Sequence, residues 1–207
     1  MTDWMSEFAQ IQALWIHGGQ LKRPHALLTS GLHSNGYVNG TLITQRPVLL
    51  LRILREPGGL ASQLPAERVD WVIGSALGAI TFAYAVAEQL EARAGYTEKD
   101  GDAMKLARFE LQDHERVLIV EDTLSTGGST RKTIKAVESA AGGKAVILPF
   151  ILCLVNRSGR NDLDGRAIRS LIQPDIQMWK AEECPLCKAG SKALRPKENW
   201  KELQLAE

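Results

Sequence analysis

No apolar run among the 207 residues is long enough to cross a bilayer. The N-terminus, MTDWMSEF, also lacks the basic-then-apolar order of a secretory signal. Only three cysteines are present, Cys153 in an apolar run and Cys184 and Cys187 towards the C-terminus, too few for a disulfide framework. Charge of one sign is scarce as well: 25 Lys and Arg against 24 Asp and Glu leave a formal net charge of +1. So even a balance excludes a broad electrostatic surface for nucleic acid and leaves only local basic clusters to meet an anionic ligand. The chain has no internal repeat, no low-complexity tract and no helix-turn-helix segment. It also has no Ser-His-Asp or Cys-His grouping that would supply a covalent nucleophile. A soluble, cytoplasmic protein of one domain, 1–207, is expected, since 44% hydrophobic residues can fill a sizeable core.

What is present is concentrated in Val117 to Thr130, VLIVEDTLSTGGST. The run VLIV reads as a buried parallel strand, short, rich in β-branched residues and bounded by charge. It stops at two adjacent acids, Glu121 and Asp122, followed by a turn of Ser125, Thr126, Gly127, Gly128, Ser129 and Thr130. A helix is expected from Ser129 through Ala141. Strand, acids, glycine and hydroxyl loop, then helix N-terminus is the layout of an anion site at the carboxyl edge of a sheet. Loop amides, hydroxyls and the positive helix end suit a phosphate. Two carboxylates beside that phosphate would repel it, so they suit sugar hydroxyls or the waters of a substrate-bound Mg²⁺. No lysine follows the second glycine at the required spacing, so the loop is not a Walker A motif.

Elsewhere the pattern alternates. Trp4, Met5, Phe8, Ile11, Leu14 and Trp15 share helical spacing over residues 3–17, with Gly18 and Gly19 as the stop. Extended runs at Ala26–Thr29 and Tyr37–Asn39 flank a turn rich in Gly, Ser and Asn, and Pro47 opens a helix through Leu54. A second buried strand, Val69–Ile73, runs into Gly74-Ser75-Ala76-Leu77-Gly78 and a helix from Ala79 to Glu91, which gives a second glycine-bearing loop at a helix start. Residues 95–115 are polar and read as a hairpin or flap carrying Lys99, Lys105 and Arg108. Lys144–Asn156 is an apolar strand run interrupted by Pro149, with Arg157-Ser158-Gly159-Arg160 at its carboxyl end, and Ile168–Ile172 is a further strand. Strands alternating with helices give a mostly parallel α/β sheet.

These segments, in this order, resemble the orotate phosphoribosyltransferase family of type I phosphoribosyltransferases, in its form with a Cys-Pro-Leu-Cys tail. VEDTLSTGGST is similar to its signature for 5-phosphoribosyl 1-pyrophosphate (PRPP), and WVIGSALGAITFAYAVAEQL to its pyrophosphate loop and helix. LLTSGLHSNGYVN resembles the hood (about 20–45), YTEKDGDAMKLARFEL the flap (about 95–115), LVNRSGR the orotate-carboxylate strand end, and CPLCKAG the tail (about 180–207). The resemblance implies a central sheet flanked by helices, a small N-terminal hood and a mobile flap. It also implies Mg-dependent transfer from PRPP to orotate in pyrimidine biosynthesis, by a homodimer whose flap reaches the partner.

Roles follow from the same resemblance. Glu121 and Asp122 would take the ribose hydroxyls, directly or through water on a Mg²⁺ held mainly by substrate. Thr123, Leu124, Ser125, Thr126, Gly127, Gly128 and Ser129 would cradle the 5-phosphate, and Ser75, Ala76, Leu77 and Gly78 the pyrophosphate. Ser125 and Arg157 would meet orotate, with Tyr37 from the hood among the substrate-binding residues. Lys99, with Lys105 or Arg108, would neutralise the leaving group. Leu32 stands where the family often has arginine, and Ala107-Arg108-Phe109 keeps one of two flap arginines. Transfer to another base, or a PRPP-binding regulator with impaired turnover, are therefore the alternatives. Cys184 and Cys187 have metal-ligand spacing, but a zinc site would need a second chain or His17, His25, His33 or His114. His33 reads as a hydrogen-bonded turn residue.

Overall fold

The computed structural model describes residues 2–19 and 23–205. Residues 20–22 of the expected hood and 206–207 of the tail lie outside the described residues. In chain order the elements begin with α1 (Trp4–Gln10), β1 (Leu14–Ile16), β2 (His25–Leu27), β3 (His33–Ser34), β4 (Gly36–Val38), α2 (Gly40–Thr44) and α3 (Pro47–Arg55). Then come β5 (Trp71–Ser75), α4 (Ile80–Leu90), β6 (Arg93–Asp100), β7 (Ala103–Lys105), β8 (Arg116–Leu124) and α5 (Gly128–Ala140). The last are β9 (Val146–Asn156), β10 (Asp162–Leu163), β11 (Arg166–Ile172), β12 (Met178–Trp179), α6 (Pro185–Lys188), β13 (Ala193–Leu194) and α7 (Pro196–Leu205). Two compact units result. One joins the segment up to Trp4 with Gly40–Pro174, and the other joins Met5–Asn39 with the residues from Asp175 onward.

The first unit is a seven-stranded sheet of order β10-β11-β9-β8-β5-β6-β7. Its middle pairs are parallel, and the outer pairs β10/β11 and β6/β7 are antiparallel. Parallel strands covered on both faces are apolar at every position, and Val117, Leu118, Ile119 and Val120 are all buried. On one face Val117 and Ile119 pack with Trp71, Ile73, Ile151 and the α5 residues Ile134 and Val137. Each such side chain contributes about 1.5–3 kcal/mol on burial. The VLIV strand does not stop at the acids: β8 runs on to Leu124 and carries Glu121 and Asp122 within the ladder, paired to β9 through Leu124↔Asn156. The expected flap is half core, since β6 pairs with β5 from Arg93 to Thr97 before turning back as a hairpin with β7. Pro149, which has no N–H to donate, sits where the β8–β9 register slips, and the strand survives it as an irregularity.

In the second unit β1 pairs with β4, and four short strands form a sheet of order β12-β3-β2-β13. Trp15, Ala26, Leu28, Leu194 and Leu203 fill its core, and the Trp15 indole N–H donates to the Leu203 carbonyl at 2.8 Å. The helix expected over 3–17 ends at Gln10 instead. Gln12 takes φ +62°, its N–H bonds Ala9 O, and the Ala13 N–H bonds Phe8 O at 2.8 Å, a left-handed cap made without glycine. Leu14–Ile16 then leave as β1, paired through Leu14↔Val38.

Candidate active site

At the carboxyl edge of the parallel sheet a polar cavity of about 300 Å³ is lined by Ser75, Ala76 and Gly78 after β5, Lys99 on β6, and Glu121 through Thr130. The two strand–loop–helix connections expected from sequence thus open onto one space. A larger hollow, about 500 Å³, lies at Arg68, Asp70, Leu90 and Arg93. Arg68 and Asp70 are ion-paired there at 2.7 Å and no glycine loop borders it, so the first cavity is the candidate site.

Strand alternation gives the two acids different surroundings. Glu121 turns to the α5 side, 5% exposed, and accepts hydrogen bonds from Ser75 Oγ at 2.8 and 2.9 Å and from Thr130 Oγ1 at 3.3 Å. Burial first, then the negative charge of Asp122, pushes its carboxyl up to about 8. Asp122 is half-buried, its carboxylate beside two glycines and still within hydrogen-bonding reach of the Glu121 carboxyl. A Cβ at Gly78 would stand 2.7 and 2.8 Å from its carboxylate oxygens, and one at Gly40 would overlap them. Gly40, the first residue of α2, carried no signal in the sequence because its partner lies 82 positions away in the chain (122 − 40). Cys153, level with Glu121 on β9, is fully buried, and burial followed by the two acids pushes its thiol up, so it is an inert core residue.

The loop after β8 is built for close approach. Gly127 has φ +78°, and a Cβ there would reach Leu163 Cδ1 at 2.5 Å. Arg131 holds the loop from outside: its Nη1 donates to the Thr126 carbonyl at 2.8 Å while its Nε donates to Asp164 at 2.7 Å. Thr123 Oγ1 is buried without a hydrogen-bond partner among the described residues. The first turn of α5 then presents the free amides at its N-terminus.

Not every expected site residue borders this cavity. Leu77, in the turn between Ser75 and Gly78, is 84% exposed and off the lining, and its peptide with Ala76 is cis. Among the flap cations only Lys99 is at the cavity. Arg108 donates to Glu98 at 2.5 Å, and Lys105 lies opposite Glu98 in the β6–β7 register. Arg157 follows β9, its N–H bonded to Leu124 O at 2.9 Å. That turn is fixed by Asn156, whose Oδ1 accepts from Ser158 N–H and Oγ and whose Nδ2 donates to Arg160 O. Asn156 is buried and was missed in the sequence, where it is only the last residue of an apolar strand run. Tyr37 belongs to the second unit and packs edge-on against Trp200 at 5.7 Å.

No family model matches the chain. An orotate phosphoribosyltransferase of Caldicellulosiruptor bescii is 36% identical over 193 residues, covering 93% of this chain and 97% of the relative. One from Caldanaerobacter subterraneus subsp. tengcongensis is 40% identical over 178 residues, 85% of this chain and 90% of the relative. Among solved structures, the orotate phosphoribosyltransferase of Aeropyrum pernix superposes with TM-score 0.60 at 24% identity, over 82% of this chain and 92% of that one. The adenine phosphoribosyltransferase of Thermoanaerobacter pseudethanolicus gives 0.54 at 22% identity, over 67% and 88%. At such identities the structures speak to the fold, the mostly parallel sheet of type I phosphoribosyltransferases. Sequence identity at this level over nearly the whole of both chains shows that the chain belongs to the orotate phosphoribosyltransferase family.

Proposed function

We propose that this chain transfers the 5-phosphoribosyl group of PRPP to orotate, giving orotidine 5-phosphate and pyrophosphate, a step of pyrimidine biosynthesis. The observation that carries the reading is Asp122, an accessible carboxylate set between two glycine-bearing strand–helix loops. Two anion cradles separated by one carboxylate match a substrate with phosphates at both ends and hydroxyls in the middle. Thr123 to Ser129 take the 5-phosphate, Ser75 to Gly78 the pyrophosphate, and Asp122 the ribose hydroxyls. Glu121, its carboxyl pushed up by burial and then by the charge of Asp122, supports Ser75 and Thr130 and favours the neutral form that would not repel phosphate. That answers the repulsion that two ionised acids would create.

In the reaction the C1–O bond to pyrophosphate breaks, both electrons leave with the pyrophosphate, and the orotate ring nitrogen bonds C1 as its proton departs. Lys99 neutralises charge building on the leaving group, and Asp122 favours the cationic sugar. Lys105 and Arg108 join when the β6–β7 hairpin closes, which also excludes water that would hydrolyse the sugar cation. Arg157, with Ser125, meets the orotate carboxylate, for which a planar guanidinium is a two-pronged donor.

Magnesium fits the donor set, since Asp122 offers hard oxygens in a space that the missing Cβ atoms of Gly40 and Gly78 keep open. Asp122, and Glu121 beside it, would hold the ion through water. When bound it offsets charge on the diphosphate. A cytoplasmic homodimer sharing its flaps completes the reading, as the family resemblance implies. The test is loss of orotate absorbance with PRPP and Mg²⁺, with Asp122→Asn as the control. Loss that requires PRPP and fails in the variant is expected; PRPP binding without loss of orotate would favour another base.

A further inference from the structure

The second unit gathers four side chains that the transfer reaction does not use. His25 on β2, His33 on β3, Cys184 just before α6 and Cys187 within it bring one ligand atom each to within 4.8 Å of all the others. His25 Nε2 lies 2.9 Å from His33 Nδ1, 3.7 Å from Cys184 Sγ and 3.5 Å from Cys187 Sγ, and Cys187 Sγ is 3.2 Å from His33 Nδ1. For Zn–S near 2.3 Å and Zn–N near 2.05 Å, the edges of a tetrahedron are about 3.4 Å for N–N, 3.6 Å for S–N and 3.8 Å for S–S. The observed N–N and S–N separations fall within about 0.5 Å of those edges.

From this geometry we propose that His25, His33, Cys184 and Cys187 form a closed structural Zn²⁺ site. The donor set is that of zinc: two thiolates and two imidazoles, four ligands, no carboxylate and no open position. Hydrogen bonding outside the cluster sets the tautomer. Ser191 Oγ donates its hydrogen to the Arg23 carbonyl, so it accepts from His25 Nδ1–H at 2.8 Å. His25 Nε2 therefore presents a lone pair to the cluster, held in place as metal-bound histidines are. His25 and Cys184 are fully buried, where two thiolates and Zn²⁺ make a site of no net charge. On binding, the two thiol protons leave to solvent. A disulfide between the cysteines would leave the two histidine nitrogens converging with no ligand.

The unit needs such a staple. Its sheet strands are two or three residues long, and the ligands tie β2 and β3 to the C-terminal segment across more than 150 positions of sequence, as the His25 to Cys184 separation of 159 shows. A core this small commonly gains its stability from metal or disulfide.

The test starts with zinc analysis of the purified full chain, expected to hold about one Zn per chain after dialysis. Chelator-treated protein titrated with Co²⁺ should develop the intense visible bands of tetrahedral cobalt together with thiolate-to-cobalt charge transfer. Cys184→Ser with Cys187→Ser should lose the zinc and lower the melting temperature by about 10 °C. His33→Gln should weaken Co²⁺ binding and alter its spectrum, which keeps the proposal testable if the cysteine variant fails to fold. Protein free of zinc with no cobalt spectrum would overturn it. So would an intact mass two hydrogens lighter, which marks a Cys184–Cys187 disulfide.

Discussion

Glu121 and Asp122 are neighbours in the chain to which the fold gives different surroundings; His25, His33, Cys184 and Cys187 lie in two stretches far apart in the chain, and the fold brings them together. In the first case the period-two alternation of β8 buries one carboxyl against Ser75 and Thr130 and leaves the other between Gly40 and Gly78. One carboxyl, pushed towards its neutral form by burial, supports the site, while the other lines the cavity where substrate can reach it. In the second case the cysteine pair gives only a spacing, and the site exists only once β2, β3 and α6 are assembled. Adjacent residues of one type need not share a task, and a shared task needs no adjacency.

The largest expected effect tests the inequality of the acids. Asp122→Asn should lower turnover by about 10²–10³-fold, ~3–4 kcal/mol of transition-state stabilisation, while Glu121→Gln should cost less than about tenfold. Steady-state orotate assays decide it, and equal losses would break the comparison.

The next effect concerns stability. The folded-state pKa of Glu121 is raised from 4.5 to about 8, so the stability linked to its neutral form is whole below pH 4.5 and is lost as the pH rises towards about 8. Glu121→Gln has no such loss. Between pH 5 and pH 8 the variant should therefore gain steadily on the wild type, read from denaturation midpoints. A pH-independent difference would mean that Glu121 is charged in the folded protein.

Smaller effects sharpen the picture of the phosphate loop. Gly127→Ala must place a Cβ at φ +78° against Leu163, and should cost about 1–3 kcal/mol in stability together with PRPP affinity. Arg131→Ala removes the bond to the Thr126 carbonyl and the Asp164 pair, both at the surface. It should weaken PRPP binding by only a few-fold, since exposed pairs contribute little. A loss as large as that of Gly127→Ala would move the loop's support from its backbone to this guanidinium.

Local features were legible in the sequence. The VLIV strand, the glycine and hydroxyl loop and the helix after it stand where the residue pattern put them, because strand burial, loop chemistry and helix start are short-range properties. Pro47 opens α3, and Leu49, Leu50, Ile53 and Leu54 form its buried face, as the spacing indicates. The end of α1 was not legible, because its cap is a left-handed Gln12 where glycine is the usual sign. Nor was the division of labour between the acids, which depends on β8 running four residues past VLIV to Leu124. Gly40 and Asn156 were hidden because each acts on residues fixed by tertiary structure, and for the same reason the cysteine spacing was legible while the choice of His25 and His33 among four histidines was not.

The most direct measurement of the central claim is a calorimetric titration of PRPP, in Mg²⁺, into the wild-type protein and into Asp122→Asn. One binding site per chain in the wild type, weakened at least about tenfold in the variant, is the predicted result. Equal affinity in both proteins, or no binding to the wild type, would contradict the assignment of this cavity to PRPP.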